Sequence, residues 1–317
     1  MFVSRDEEPA FAGADWGTSR FRLWLMDKAG NVLAERRSDD GLDASRASGF
    51  SQVLECHLAA LGAPANLPVV VCGMAGSRQG WVEASYVDIP ADPATILAAS
   101  ARIIDTKRDI RIVPGLAQQG AKPNVMRGEE TQLLGLVHGK PGFSGLVAMP
   151  GTHSKWVHLE GGRVSRFSTY LTGELYALIC SQSILRHSIG AAAESVDADH
   201  PGFATGLEQA LAPDFSLLGT LFELRAAMLL NGQGEDEAAA KLSGMVIGSE
   251  AADARAKAPA DIRTVQLIAS GRMERLYRKA LGAAGFDCET VDADDAVRKG
   301  LHAAATGLWF SSRKETA

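Results

Sequence analysis

Ala14-Asp15-Trp16-Gly17-Thr18-Ser19-Arg20 is the stretch on which the fold turns. An apolar run from Phe11 to Trp16 leads through it. An alternating segment follows, with Phe21, Leu23 and Leu25 on one face and Arg22, Trp24 and Met26 on the other. This pattern predicts strand, tight turn, strand, with Asp15 at the end of the first strand and Thr18-Ser19 in the turn. Such a turn can aim backbone N–H groups and two hydroxyls at a phosphate, while the carboxylate holds a hydrated metal ion. The same seven residues also suit an ordinary hairpin with glycine in its turn.

A turn over 27–31 returns the chain through a third strand, 32–37, and a polar loop over 38–48 follows. Phe50, Val53, Leu54, Leu58 and Leu61 recur at helical spacing up to Gly62. Residues 68–73 are a short, wholly apolar run between turn residues, the pattern of a strand buried on both faces. It exits into Met74-Ala75-Gly76-Ser77-Arg78-Gln79-Gly80-Trp81. A helix is expected over 93–104, another buried strand over 110–114, and a loop around Gln118-Gln119-Gly120. A short helix over 129–138 opens with Glu129-Glu130.

The order then starts again. A strand over 146–149 meets the turn Pro150-Gly151-Thr152-His153-Ser154. A strand over 155–159, a glycine turn, a strand over 163–170 and a helix over 173–187 follow. This repeats the architecture of 11–61 with little shared sequence beyond Gly-Thr in the turn. Residues 188–235 are mixed, with a helical pattern over 217–230, and 235–254 reads as helix. An apolar strand over 264–269 runs into Ser270-Gly271-Arg272 and a helix through Leu281. A strand over 288–291 and a helix over 296–310 close the chain. No linker or low-complexity tract separates the halves, so the expectation is an α/β protein of two packed lobes, 1–140 and 141–317, with a cleft between them.

Bulk properties narrow the function. A chain of 317 residues can bury one large core or two medium ones, and two is the better prior. A net charge of −6 speaks against a general nucleic-acid binder. The four cysteines form no C-x-x-C pair, so buried reduced thiols in a cytoplasmic protein are expected. The first nine residues are polar and acidic, unlike a signal peptide, and no apolar run approaches the roughly 18 residues of a membrane span.

Four features could converge on a nucleotide: the Asp15 turn, the Gly151-Thr152 turn, the pair Glu129-Glu130, and Ser270-Gly271 at a strand-to-helix junction. Phosphoryl transfer needs backbone donors for phosphate oxygens, a carboxylate for Mg²⁺ and another to take the proton of the attacking hydroxyl. No G-x-x-x-x-G-K-[ST] loop and no kinase-type G-x-G-x-x-G is present. Two opposed hairpin turns would do the same work. The scattered histidines form no metal cluster. Two acids opening a helix also merely complement the helix dipole.

Asp15-Trp16-Gly17-Thr18-Ser19, Arg127-Gly128-Glu129-Glu130-Thr131-Gln132, Pro150-Gly151-Thr152-His153-Ser154-Lys155-Trp156 and Thr172-Gly173-Glu174-Leu175 resemble, in order, the signatures of the 2-dehydro-3-deoxygalactonokinase family. That family belongs to the actin–hexokinase superfamily. The resemblance spans residues 11–310. It implies two ribonuclease-H-like (actin-like ATPase) lobes about a nucleotide cleft. The implied reaction is transfer of the ATP γ-phosphate to the 6-hydroxyl of 2-dehydro-3-deoxy-D-galactonate. ATP and Mg²⁺ are the implied cofactors and a small sugar acid the partner, with neither nucleic acid nor membrane involved. A homo-oligomer is compatible with this reading.

Carried over residue by residue, the resemblance has Asp15 position Mg²⁺ and Gly17, Thr18 and Ser19 meet phosphates. Gly151, Thr152, His153, Ser154 and Lys155 form the second phosphate turn, with His153 as a donor. Many superfamily members have an aspartate before that turn; Met149-Pro150 stand there instead, which leaves the metal to Asp15. The adenosine contact falls at Ser270-Gly271-Arg272, where the superfamily often has two adjacent glycines and this chain has one. Related exopolyphosphatases carry a Gly-Glu-Glu segment whose base aligns on Glu130, so Glu130 is the favoured general base and Glu129 the alternative. On the sugar side stand Ser77, Arg78, Trp81, Thr172 and Glu174. Arg78 either pairs with the C1 carboxylate or is a surface arginine; Trp81 either walls the pocket or is core. Thr172 equally suits a helix cap.

A phosphatase acting on polyphosphate is the alternative within the superfamily; it would want a broad basic channel, against the acidic net charge. A catalytically silent sugar-binding regulator is a third. The retained Asp15, Thr18 and Glu130 speak for catalysis.

Overall fold

The computed structural model describes residues 8–104 and 106–311. Of the first nine residues, read as polar and acidic, those up to residue 7 lie outside them. β1 (Phe11–Trp16), β2 (Phe21–Met26) and β3 (Val32–Ser38) form an antiparallel meander, as the alternation predicts. Phe11, Phe21 and Leu23 are fully buried. β3 is the edge strand and carries Glu35, Arg36 and Arg37, charges that blunt an edge against further pairing. The stretch expected as a polar loop holds a helix, α1 (Leu42–Ser48), which buries only Leu42 and Ser45 and so leaves little apolar periodicity to read. α2 (Phe50–Ala60) presents Val53, Leu54 and Leu58 to the core.

β4 (Val69–Gly73) is buried at every residue and lies parallel to β1. After a single turn of 3₁₀ helix come β5 (Val87–Asp88) and α3 (Pro93–Ala98). The helix expected to reach 104 stops early, and β6 (Ala101–Arg102) pairs antiparallel with β7 (Ile110–Ile112). β8 (Leu116–Gln118) and β9 (Asn124–Met126) join β5 in a small sheet where a loop was expected. Strands of two or three residues are too short to show period-two alternation. α4 (Glu129–Gly139) follows. The main sheet runs β3-β2-β1-β4-β7-β6.

The second sheet is built from β10 (Gly145–Met149), β11 (Ser154–Glu160) and β12 (Arg163–Tyr170). The helix expected over 173–187 is α5 (Thr172–Gln182) and a separate short α6 (Arg186–Ile189). α7 (Pro201–Ala210), unforeseen, precedes α8 (Leu217–Asn231) and α9 (Glu235–Lys257). β13 (Thr264–Ile268), α10 (Gly271–Ala283), β14 (Asp287–Val291) and α11 (Ala293–Ala305) complete the chain. The strand order β12-β11-β10-β13-β14, with β10, β13 and β14 parallel, repeats β3-β2-β1-β4-β7 place for place. Each sheet is ribonuclease-H-like, and the fold is a two-lobed α/β fold.

By contacts the chain forms two compact units. One takes the described residues up to Ser144, Leu159–Arg166 and those from Ala293 on; the other takes Gly145–His158 and Phe167–Asp292. A single cut at 140 therefore leaves out α11, which packs on α4 in the first unit. That crossing is close because glycines face backbone. A Cβ at Gly135 would run into the Ala296 carbonyl, and one at Gly300 into the Thr131 carbonyl. Neither position shows any apolar signal in the sequence. Among the described residues no helix is long and apolar enough to cross a membrane.

Candidate active site

The first turn is closed by the Gly17 N–H, which donates to the Arg20 carbonyl at 2.8 Å. Thr18, Ser19 and Arg20 are exposed. Below the turn the buried Trp16 indole donates to the Asp40 carbonyl at 3.0 Å and to Ser45 Oγ at 3.1 Å. Two glycines bring other elements to this point. Gly73 has φ +86° with the Trp16 carbonyl against it, and Gly128, at φ +104°, lies on Gly73. Both φ values suit glycine and little else. The glutamate pair that opens α4 is thereby delivered beside the ends of β1 and β4.

Asp15 and Arg22 are opposite residues in the β1–β2 ladder and form an ion pair. Arg22 also pairs with Asp294, whose other oxygen accepts from Arg37 Nη2 at 2.7 Å. Burial works against the Arg22 charge, but the carboxylates of Asp15 and Asp294 outweigh it and hold its pKa above the ordinary value. The second oxygen of Asp15 accepts from Cys72 Sγ at 3.7 Å. A cavity of about 540 Å³ opens here, lined by Asp15, Gly17, Arg20, Arg22, Asp39 and Asp294. Among the described residues no group of three or more His, Cys, Asp or Glu is placed to enclose a metal. One partly exposed carboxylate at the rim of a polar cavity does fit Mg²⁺, which keeps several waters and takes its other ligands from phosphates.

The two glutamates face different surroundings. Glu130 is 0% exposed and shares a small apolar cavity with Leu133, Leu134 and Val137. Its carboxylate accepts from the Gly128 N–H at 2.6 Å and from Thr131 Oγ1 at 3.2 Å. Burial, helped by the neighbouring charge of Glu129, pushes its pKa up to about 8. Glu129 is partly buried and accepts from the Arg127 N–H at 3.1 Å. The buried Cys72 thiol has its pKa raised well above normal, first by burial and then by the charges of Asp15 and Glu130. The candidate metal carboxylate and candidate base thus lie within electrostatic reach of one side chain.

On the loop after β4, Arg78 is exposed and Ser77 is half-buried, its Oγ sealed from solvent. Trp81 is half-buried, stacked on Phe50 with ring centroids 6.1 Å apart, and edge-on to Trp16. It is part of the core's rim.

In the second unit Gly151, Thr152 and His153 are exposed, whereas Ser154 and Lys155 are buried at the start of β11. Lys155 Nζ donates to the His153 carbonyl at 2.9 Å, and Ser154 Oγ lies 2.9 Å from Tyr277 Oη. Thr172 and Glu174 both meet this turn's neighbourhood. The Glu174 N–H donates to the Thr152 carbonyl at 3.0 Å, and its carboxylate pairs with His153. Thr172 is the first residue of α5 and not its cap; its hydroxyl donates to Glu250. Ser270 Oγ donates to Asp292 at 2.6 Å, and Gly271 starts α10. Arg272 donates to the Glu194 carbonyl, and its side chain lines a cavity shared with Gly151, Thr172, Gly173, Tyr176 and Tyr277.

Sequence reasoning missed Glu250. It is 3% exposed and accepts from Trp156 Nε1 at 2.7 Å, Tyr277 Oη at 2.8 Å and Thr172 Oγ1. Burial raises its pKa against the pull of those donors. An acid shortly after the apolar Met245-Val246-Ile247 of α9 was the available signal. Arg22, Arg37 and Asp294 were also missed as partners of the first turn. The cysteines are all free, but Cys56 is exposed and Cys288 partly so, against the expectation that all four are buried.

The sequence profile of the 2-keto-3-deoxy-galactonokinase family matches residues 15–304. The chain is 47% identical, over 94% of its length and 97% of the relative's, to a Rhizobium meliloti (strain 1021) protein named as a probable 2-dehydro-3-deoxygalactonokinase. It is 33% identical to the 2-dehydro-3-deoxygalactonokinase of Escherichia coli (strain K12), over 93% and 97% of the two chains. A crystal structure of a candidate 2-dehydro-3-deoxygalactonokinase from Sinorhizobium meliloti, 47% identical, superposes with a TM-score of 0.90 over 95% of this chain and all of that one.

Proposed function

The chain belongs to the 2-keto-3-deoxy-galactonokinase family, and we propose that it phosphorylates the 6-hydroxyl of 2-dehydro-3-deoxy-D-galactonate with ATP. The observation that carries this is the family match itself, which begins on Asp15 and takes in both hydroxyl turns and the glutamate pair.

Glu130 takes the proton of the C6 hydroxyl as that oxygen bonds to the γ-phosphorus and the bond from phosphorus to the ADP oxygen breaks. A buried carboxylate with its pKa lifted to about 8 is the kind of group that works as a base near neutral pH. Glu129, the more exposed of the two, is the alternative base. Asp15 would hold Mg²⁺ through water, and the ion, when bound, would neutralise charge on the phosphate oxygens. Release of Asp15 from Arg22 leaves that guanidinium its second partner, Asp294. In the first turn, Gly17, Thr18 and Ser19 supply N–H and hydroxyl donors; in the second unit, Gly151, Thr152 and His153 do so, backed by Ser154 and Lys155. The cavity by Gly151 and Arg272, with Ser270-Gly271 at its helix start, is the adenosine side. Ser77, Arg78 and Trp81 border the sugar acid, with Thr172 and Glu174 supporting the second turn.

An ATP-consumption assay over a panel of 2-keto-3-deoxy sugar acids and simple hexoses tests this. Turnover on the galactonate acid is expected; turnover on hexoses with none on any keto acid overturns it.

A further inference from the structure

Arg127 stands immediately before Gly128-Glu129-Glu130, and its guanidinium is tucked under the loop that follows β4. Nη2 donates to the Ala84 carbonyl at 2.7 Å, and the plane lies over the Tyr86 ring, 4.5 Å from its centroid. Gly76 leaves the room for it, since a Cβ there would press on Nη1, Ile112 and Ala84. The remaining donors, Nε and Nη1, are sealed from solvent and have no partner among the described residues. Ser77 Oγ, next along the loop, is in the same condition.

Arginine does not give up its proton, so these N–H groups stay charged donors, and a buried charged donor without an acceptor is strongly unfavourable. Native proteins seldom leave such groups unpaired without a role for them. Nη1 shares an edge with Nη2, whose second proton completes a two-pronged face, the shape that matches the two oxygens of a carboxylate. Gly76, the residue before Ser77 on the loop that also carries Arg78 and Trp81, lies against Nη1. Arg78 itself is exposed, where water screens its charge and leaves it little power to discriminate.

We propose that Arg127, with Ser77 following the Gly76 that lies against it, receives the C1 carboxylate of the sugar acid and so decides acid against neutral sugar. This rests on the sugar-acid kinase reading. Entry of the acid lifts the loop, gives Nη1 its acceptor and leaves C6, at the far end of the substrate, for the glutamate pair.

Calorimetric titration of wild type, Arg127→Gln, Arg127→Lys, Ser77→Ala and Arg78→Ala with 2-dehydro-3-deoxy-D-galactonate and with its C1 amide tests the assignment. Wild type is expected to favour the acid roughly hundredfold, the scale of two hydrogen bonds to a charged group. Arg127→Gln should bring acid and amide to within about threefold of each other, and Arg127→Lys should keep part of the preference. Ser77→Ala, a change of one loop hydroxyl, should lose several-fold on the acid and less on the amide, so it decides the matter should the arginine variants not fold. Arg78→Ala should keep the wild-type ratio. An unchanged acid-to-amide ratio in Arg127→Gln, or equal loss of both ligands, overturns the assignment, as does collapse of the ratio in Arg78→Ala alone. A wild-type protein that neither binds nor phosphorylates the acid overturns the sugar-acid reading, and the assignment with it.

Discussion

Asp15 and Arg22 face each other across the β1–β2 ladder and are joined by an ion pair, and the same arginine reaches Asp294 at the start of α11. The candidate metal carboxylate is therefore held in place by a cation with a second partner. Asp15→Asn should remove a thousandfold or more of turnover, an electrostatic loss of about 4 kcal/mol in transition-state stabilisation. The fold should remain, because Arg22 keeps Asp294. Steady-state kinetics beside a thermal melt checks both halves; near-normal turnover would remove Asp15 from the metal role.

Glu130 should impose an acid limb on the rate. With a pKa of about 8 it is mostly protonated at pH 7 and becomes a competent base as pH rises. The rate in the substrate-bound enzyme is expected to climb toward a plateau above pH 8. Glu130→Gln should lose roughly 10² to 10⁴ of turnover. Glu129→Gln should instead move the limb to lower pH, since the charge of Glu129 helps raise the Glu130 pKa. If Glu129→Gln is the dead variant, the base is Glu129.

The same carboxylate predicts a stability effect independent of catalysis. Its folded pKa lies above the ordinary value of 4.5, so folding favours its protonated form. That contribution is complete below about pH 4.5 and is lost as pH rises through about 8. Glu130→Gln removes the titration. Its melting temperature relative to wild type should therefore rise between pH 5 and pH 9, and a constant difference would contradict the burial argument.

Glu250 ties α9 to β11, α5 and α10 through Trp156, Thr172 and Tyr277. Glu250→Ala leaves three buried donors short of an acceptor and should cost about 3 kcal/mol or more, read as a lowered denaturant midpoint. Glu250→Gln keeps one oxygen and should cost less. Because Thr172 and Tyr277 line the cavity beside Arg272, nucleotide affinity should weaken in both.

Gly300→Ala and Gly135→Ala each place a methyl against a carbonyl of the opposing helix. Each should destabilise by about 1–3 kcal/mol, the range for overpacking. By displacing the helix that carries Glu129 and Glu130, each should also lower turnover more than substrate affinity. Chemical denaturation with parallel kinetics checks this; full activity would mean that α4 does not need its contact with α11.

Local elements are legible in the residues that form them. Period-two alternation placed β2, apolar runs placed β1, β4, β10 and β13, and helical spacing placed α2. The hydroxyl turns were readable because glycine and short polar residues announce a turn within a few positions. Elements too short to complete a period, such as β5, β8 and α1, left no such trace. Tertiary structure alone decided the partnerships: Asp294 on Arg22, Glu250 under Trp156, Thr172 and Tyr277, and α11 against α4. It also decided which glutamate is sealed away and that two donors of Arg127 have no partner among the described residues. These depend on which distant segments the sheet topology brings together. A side chain's burial and charge environment come from atoms far along the chain, and no local pattern carries that information.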